Sequence, residues 1–255
     1  MSLAPKPLSY HWRSYLPLIA AFRNGPQLAW AHHYRQPLDC AVLWSGTVIR
    51  NAGTRGGFVD TVVEIWGHQE YAPRGFYAPA NHHVVLDLGA NVGLFSLWIA
   101  HHAREARVIA FEPHPENFAT LQSNTRGYRI ETHCAALSAT SGLGHVVDGG
   151  ERSLDHRLVI GDGTVPVLTL DRAVALAESD RIDLLKVDIE GAEADMLAAA
   201  SPDTLRRCQR IVLEYHDHVR PGGLTLITQV LARTHTIHAI TGDERYGMLY
   251  AERTH

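Results

Sequence analysis

Lysine is almost missing from this chain: of 23 basic residues only Lys6 and Lys186 are lysine. A lysine kept in so arginine-rich a chain is a candidate for its chemistry, and Lys186 stands inside a charged run described below. Cysteine is scarce as well. Cys40, Cys134 and Cys208 are scattered and odd in number, which excludes a disulfide framework and reads as reduced thiols in a cytoplasmic protein. No apolar run is long enough to span a bilayer, so no transmembrane segment is expected, and the start lacks a signal-peptide pattern. Formal net charge is −4 with no run of Lys or Arg, which argues against a nucleic-acid partner. A dinucleotide fingerprint, G-x-G-x-x-G, is missing too. What is present, 45% hydrophobic and 20% charged residues in 255, suffices for one domain with an N-terminal extension.

The extension covers residues 1–80. Leu8, Trp12, Tyr15, Leu16, Ile19 and Phe22 recur at helical spacing, and Pro17 is expected to kink or split that helix. Asn24-Gly25-Pro26 breaks the pattern, and a short helix through Trp30 follows. Ala41–Trp44 and Thr47–Arg50 read as a hairpin around Ser45-Gly46. Asp60–Tyr71 reads as helix or strand. The extension is expected to cover the sheet or a partner subunit, so a homo-oligomer formed through it is one expectation. From residue 81 to 255 strands and helices alternate. Strands are expected at 83–88, 107–112, 130–135, 183–187 and 210–215, with helices near 92–103, 115–126, 191–200 and 222–233. Such alternation gives an α/β fold, a Rossmann-like parallel sheet with helices on both faces. Thr236–Ile240 and Met248–Glu252 read as a closing antiparallel pair. Residues 142–169 read as a strand-rich insertion.

Four motifs carry chemistry. Asp87-Leu88-Gly89-Ala90-Asn91-Val92-Gly93 ends a buried strand in a glycine loop, the usual seat of a nucleotide-like cofactor. A carboxylate at Asp87 would repel a pyrophosphate and suit an ammonium and a sulfonium, which points to S-adenosyl-L-methionine. Glu112, in Phe111-Glu112-Pro113, closes the next strand and can accept both hydroxyls of a ribose. Asn117 can reach the same nucleoside. Lys186, Asp188 and Glu190 alternate on a strand and share one face if it stays extended; Gly191 and Glu193 open the following helix. Glu214, His216 and His218 alternate on the next strand end. With Asp188 they could hold a divalent metal, but hydrogen bonding to substrate, or His216 as a base, is the preferred reading, and no metal is assigned.

Together these motifs, with Leu168-Thr169-Leu170-Asp171 and the upstream Glu64-Ile65 and Glu70-Tyr71, resemble the FkbM-type methyltransferases over roughly residues 40–218. The resemblance implies a class I methyltransferase fold, a seven-stranded sheet whose last strand is antiparallel. It implies O-methylation of a hydroxyl on a sugar, glycolipid or natural product. It places Asp87, Gly89, Asn91, Gly93, Glu112, Asn117 and Asp188 at the cofactor, with Tyr71 from the lead-in and Ala136 at the adenine, in the segment Cys134–Ser138. Asp188 or His216 is expected as base, Glu190 as orienting group and Lys186 as an anchor able to lose its proton when buried. Residues 1–80 and 142–165 are expected to select the acceptor. Two other classes are open: a non-catalytic fold relative acting in binding or assembly, and a nicotinamide oxidoreductase.

Overall fold

The computed structural model describes residues 8–52, 57–148 and 156–254. α1 (Leu8–Ala21) is one continuous helix with Pro17 inside it, so the expected split does not occur. The chain instead reverses at Gly25, where a Cβ would lie 2.6 Å from the Leu18 carbonyl oxygen. α2 (Gly25–Tyr34) then packs back on α1. β1 (Cys40–Val42) and β2 (Val48–Arg50) form the expected antiparallel hairpin. α3 (Phe58–Val62) runs directly into a π-helical stretch, Val63–His68.

The sheet domain follows as β3 (Val84–Leu88), α4 (Leu94–His102), β4 (Arg107–Phe111), α5 (Pro115–Asn124) and β5 (Ile130–His133). The insertion forms β6 (Ala136–Leu137), β7 (Gly142–Asp148), β8 (His156–Ile160) and β9 (Val165–Leu168), a separate sheet in the order β6-β9-β7-β8. Then come α6 (Leu170–Leu176), β10 (Leu184–Val187), α7 (Glu193–Ala199), α8 (Pro202–Arg207), β11 (Arg210–His216), α9 (Gly223–Leu231), β12 (His235–Ile240) and β13 (Tyr246–Arg253). α6 and α8 are not anticipated from periodicity because each spans barely two turns. Their caps are nonetheless visible in the sequence: Thr169 accepts from the Arg172 amide and Ser201 from the Thr204 amide.

The main sheet has seven strands in the order β12-β13-β11-β10-β3-β4-β5. Only β13 runs antiparallel to its neighbours, the arrangement the resemblance implies. Alternate side chains supply two cores. Val85, Val108, Leu184, Val212 and Tyr250 join Leu18, Phe22, Trp66 and Trp98 on one face. Leu86, Ile109, Leu185, Ile211 and Leu249 meet Val174, Leu197 and Ile227 on the other. The strand order reverses between β3 and β10. That switch point opens a crevice at the carboxyl ends of the strands, where α/β sheets bind ligands.

Candidate functional site

The loop after β3 is held by its own backbone. Gly89 and Ala90 both donate to the Phe111 carbonyl at 3.0 and 2.9 Å, Gly93 donates to Ala90, and Asn91 donates to the Glu112 carboxylate at 2.8 Å. These are the amides a phosphate would need, and none of the four is free for one. Gly89 has φ +80°, and a Cβ there would sit 1.7 Å from the Asp188 carbonyl oxygen. Glycine is therefore required by the packing of β3's loop against the end of β10, as well as by any ligand. Gly93 does not face the crevice. It precedes α4, where a Cβ would strike Leu121 of α5 at 2.8 Å. Its expected contact with the cofactor is corrected to a helix-packing role.

Asp87 also lies elsewhere than expected. It is fully buried behind the loop. Its carboxylate accepts from the Ser96 hydroxyl at 2.6 Å and pairs with the Lys186 ammonium at 3.2 Å. A charge this deep needs a fixed partner, and Lys186, not a ligand cation, is that partner. Lys186 in turn donates to the Gly89 carbonyl at 2.7 Å, stands 3.6 Å from Asp188 and lies over the Tyr71 ring at 5.4 Å. Burial works against its charge, but Asp87 and Asp188 outweigh that and hold the ammonium above the usual lysine range. Lys186 is a charged strut under the site; the expected anchor for a substrate oxygen instead holds Asp87 and the Gly89 carbonyl.

Two compartments meet over this strut. The first is a slot between the Gly89 loop and the inserted sheet. Glu112, Asn117, Ala136 and Leu137 line it, with Val146 of β7 and Leu158 of β8 closing the top. The insertion, expected to select the acceptor, thus borders the same slot as Glu112. Glu112 is 5% exposed and accepts from the Asn91 and His114 amides, both at 2.8 Å. Burial pushes its carboxyl up to about 7, against the pull of those two donors. Asn117 is also buried, and its side-chain oxygen has no hydrogen-bond partner. A slot with apolar walls, a two-oxygen acceptor and an unpartnered amide oxygen fits a nucleoside. With four of the loop amides engaged, it fits one without a pyrophosphate, as in S-adenosylmethionine.

The second compartment is larger, about 760 Å³, and is walled by the π-helical stretch, β10, β11 and the start of β13. Tyr71, expected at the cofactor, lines this one, and its hydroxyl donates to Asp188 at 3.2 Å. Gly89, Asn91, Asp188 and Glu190 border both compartments. β10 ends at Val187, and Glu190 takes a left-handed turn with φ +55°. Lys186, Asp188 and Glu190 therefore do not line one extended face. The turn swings Glu190 towards His216, at 3.4 Å.

His216 is 8% exposed and is gripped from its other side by Glu193 at 2.9 Å. Burial opposes its charging, but the bond to Glu193 and the charges of Glu190 and Asp188 win and push it up to about 10. Its two ring nitrogens face Glu193 and Glu190, an arrangement that does not suit the expected free base. His218 lies past the end of β11, hydrogen-bonded to the Arg245 carbonyl, with its ring 5.9 Å from that of His216; the donors that converge are those of Asp188, Glu214 and His216. Burial raises Glu64 to about 7 and both Glu190 and Glu214 to about 8, with Asp188's charge adding to all three.

Sequence reasoning underrated Glu193, Glu64 and the pair Val146 and Leu158. Glu193 looked like a helix-start acid; its oxygen accepts from the Ile189 and Gly191 amides as well as His216. Of the aromatics, Trp66 and Tyr77 are core residues, and Trp44 is exposed.

The methyltransferase FkbM domain model matches residues 87–234, which include Glu112, Asp188, Glu190, Glu214 and His216. The AMB antimetabolite synthetase AmbE of Pseudomonas aeruginosa is 32% identical over 197 residues, covering 60% of this chain and 9% of that protein. The hexuronic acid methyltransferase AglP of Haloferax volcanii is 24% identical over 74% of this chain and 81% of its own length. The 31-O-demethyl-FK506 methyltransferase FkbM of Streptomyces tacrolimicus is 25% identical over 52% of this chain and 65% of that protein. The chain thus spans less than two thirds of the first and third of these relatives. The family match extends over more than half of the residues, and the chain belongs to the FkbM methyltransferase family.

Proposed function

We propose that the chain is an S-adenosylmethionine-dependent O-methyltransferase acting on a hydroxyl of a sugar or natural-product acceptor. One observation carries this reading: a nucleoside-like slot and a roomy polar cavity touch only at the Gly89 loop and the carboxylates of Asp188 and Glu190. The relatives named for a hexuronic acid and for a 31-O-demethyl compound favour an oxygen acceptor.

When bound, S-adenosylmethionine supplies the activated methyl group. The chain does the rest. Glu112 accepts the ribose hydroxyls, and Ala136, Leu137, Val146 and Leu158 pack the base. Asp188, held by Tyr71 and the Lys186 strut, fixes the acceptor hydroxyl. Glu190, in its ionised form, takes its proton. The roles of the last two exchange relative to the sequence reading, because both border the two compartments but Asp188's oxygen already accepts from Tyr71. Alignment of the reacting atoms is worth about 7–11 kcal/mol and a positioned base roughly 10²–10⁴-fold, so the walls matter more than the base. Transfer of labelled methyl from S-adenosylmethionine to polyol and uronic-acid acceptors tests this. The expected product is a base-stable ether, and Glu190→Gln lowers turnover by about 10²–10⁴-fold with unchanged S-adenosylhomocysteine affinity. Methylation confined to nitrogen, or full turnover in Glu190→Gln, would contradict it.

A further inference from the structure

Among the described residues, Asp188, Glu214 and His216 each offer a donor atom, and the three atoms lie within 4.8 Å of one another. Donors at about 2.0–2.3 Å from a small divalent cation stand up to about 4.0–4.6 Å apart across it. A spacing bounded by 4.8 Å is therefore compatible with three donors sharing one such ion. We propose that it is a divalent-cation site of the Mg²⁺ or Mn²⁺ class that holds the acceptor hydroxyl, a refinement that rests on the methyltransferase reading above.

Three observations besides the spacing support it. His216 is oriented from behind. Its Nδ1 is 2.9 Å from Glu193, a carboxylate 2% exposed and fixed by the Ile189 and Gly191 amides. A buried carboxylate behind a histidine sets the tautomer and turns the other nitrogen outward, the arrangement metal-ligating histidines use. Here the outward nitrogen is Nε2, on the side of Glu190. Second, Glu214 is half-buried on β11, and its carboxylate has neither a hydrogen bond nor an ion pair among the described residues. Carboxylates placed so are paired or coordinate metals. Third, the cavity is short of positive charge. Glu64, Glu70, Asp188, Glu190 and Glu214 line it beside two cations, Arg245 and Lys186, and Lys186 is shared between Asp87 at 3.2 Å and Asp188 at 3.6 Å. Two carboxylates and one imidazole suit a hard or borderline cation with open positions for water and substrate. The cation takes the place on Nε2 that a proton otherwise fills.

The chemistry balances without further reagents. The cation polarises the acceptor oxygen as a Lewis acid. The O–H bond breaks and its proton passes to Glu190. The oxygen's electron pair forms the new bond to the methyl carbon, and the pair of the breaking carbon–sulfur bond stays on sulfur.

The test is electron paramagnetic resonance of Mn²⁺ added to the metal-stripped chain, where binding removes the signal of the free ion. A single saturable Mn²⁺ per chain is expected. Glu214→Gln and His216→Ala should each weaken it more than tenfold, and Glu193→Gln about 10–100-fold. Glu214→Gln removes no partner and is the variant least exposed to a folding defect. Unchanged S-adenosylhomocysteine affinity, measured by calorimetry, shows that the variants keep their fold and separates this proposal from the methyltransferase reading. An unaltered free-ion spectrum, or parent-like Mn²⁺ binding by both Glu214→Gln and His216→Ala, overturns the site.

Discussion

Glu112 has two duties that pull its chemistry in opposite directions. It ties the β3 loop to the end of β4 through two backbone amides, and it lines the slot as an acceptor. Its carboxyl lies above its ordinary value, at about 7, so the sign of its pH effects follows directly. A raised folded-state value favours the neutral form: the stability this contributes is present below about 4.5 and is lost as pH rises through about 7. Hydroxyl donors from a ribose favour the ionised form. S-adenosylhomocysteine affinity should therefore rise with pH and level off above about 7, and Glu112→Gln should flatten the profile; calorimetry across that range checks it. Glu112 and Asp188 were legible because a carboxylate at the end of a central strand has few structural uses. Asp87 was misread for the opposite reason. A carboxylate two positions before a glycine looks the same whether it faces a ligand or a buried lysine, and its partner lies on a strand far along the chain. Glu193 was half legible: position one of α7 explains an acid there, and nothing in the spacing shows that its side chain turns back to His216.

The elements divide the labour. The β3 loop and β4 end shape the slot, and the inserted sheet borders it. β10 and β11 bring carboxylates and His216 to the larger cavity, which the π-helical stretch also lines. The order of strands was readable because each is a short apolar run bounded by glycine, proline or charge. The position of the insertion was readable too, but its task was not, since alternating Val146 and Leu158 resemble any strand. Burying a leucine side chain is worth about 1.5–3 kcal/mol. Leu158→Asp should thus weaken S-adenosylhomocysteine binding by at least tenfold in calorimetry without lowering the melting temperature, because Leu158 covers the slot and not the main cores.

At the scale of the molecule, the segment before residue 81 and the sheet share one core. Phe22 and Trp66, 4.7 Å apart between ring centroids, pack in the cluster that contains Val85, Trp98 and Val212. Phe22→Ala should cost about 3–5 kcal/mol, measured by urea denaturation, and unfolding should be a single transition seen alike by far-ultraviolet circular dichroism and tryptophan fluorescence. Helical spacing showed that the first segment was amphipathic. It could not show which surface the apolar side meets, because contacts between Phe22 and residues beyond 60 leave no local pattern.

The claim on which the rest stands is that one slot binds the methyl donor and a separate junction performs the chemistry. Calorimetric titration of S-adenosylhomocysteine into the parent chain, Glu112→Ala and Glu190→Gln tests it most directly. The expected result is tight binding by the parent and by Glu190→Gln, with at least tenfold loss in Glu112→Ala. No binding by the parent, or equal affinity in all three proteins, would contradict the account.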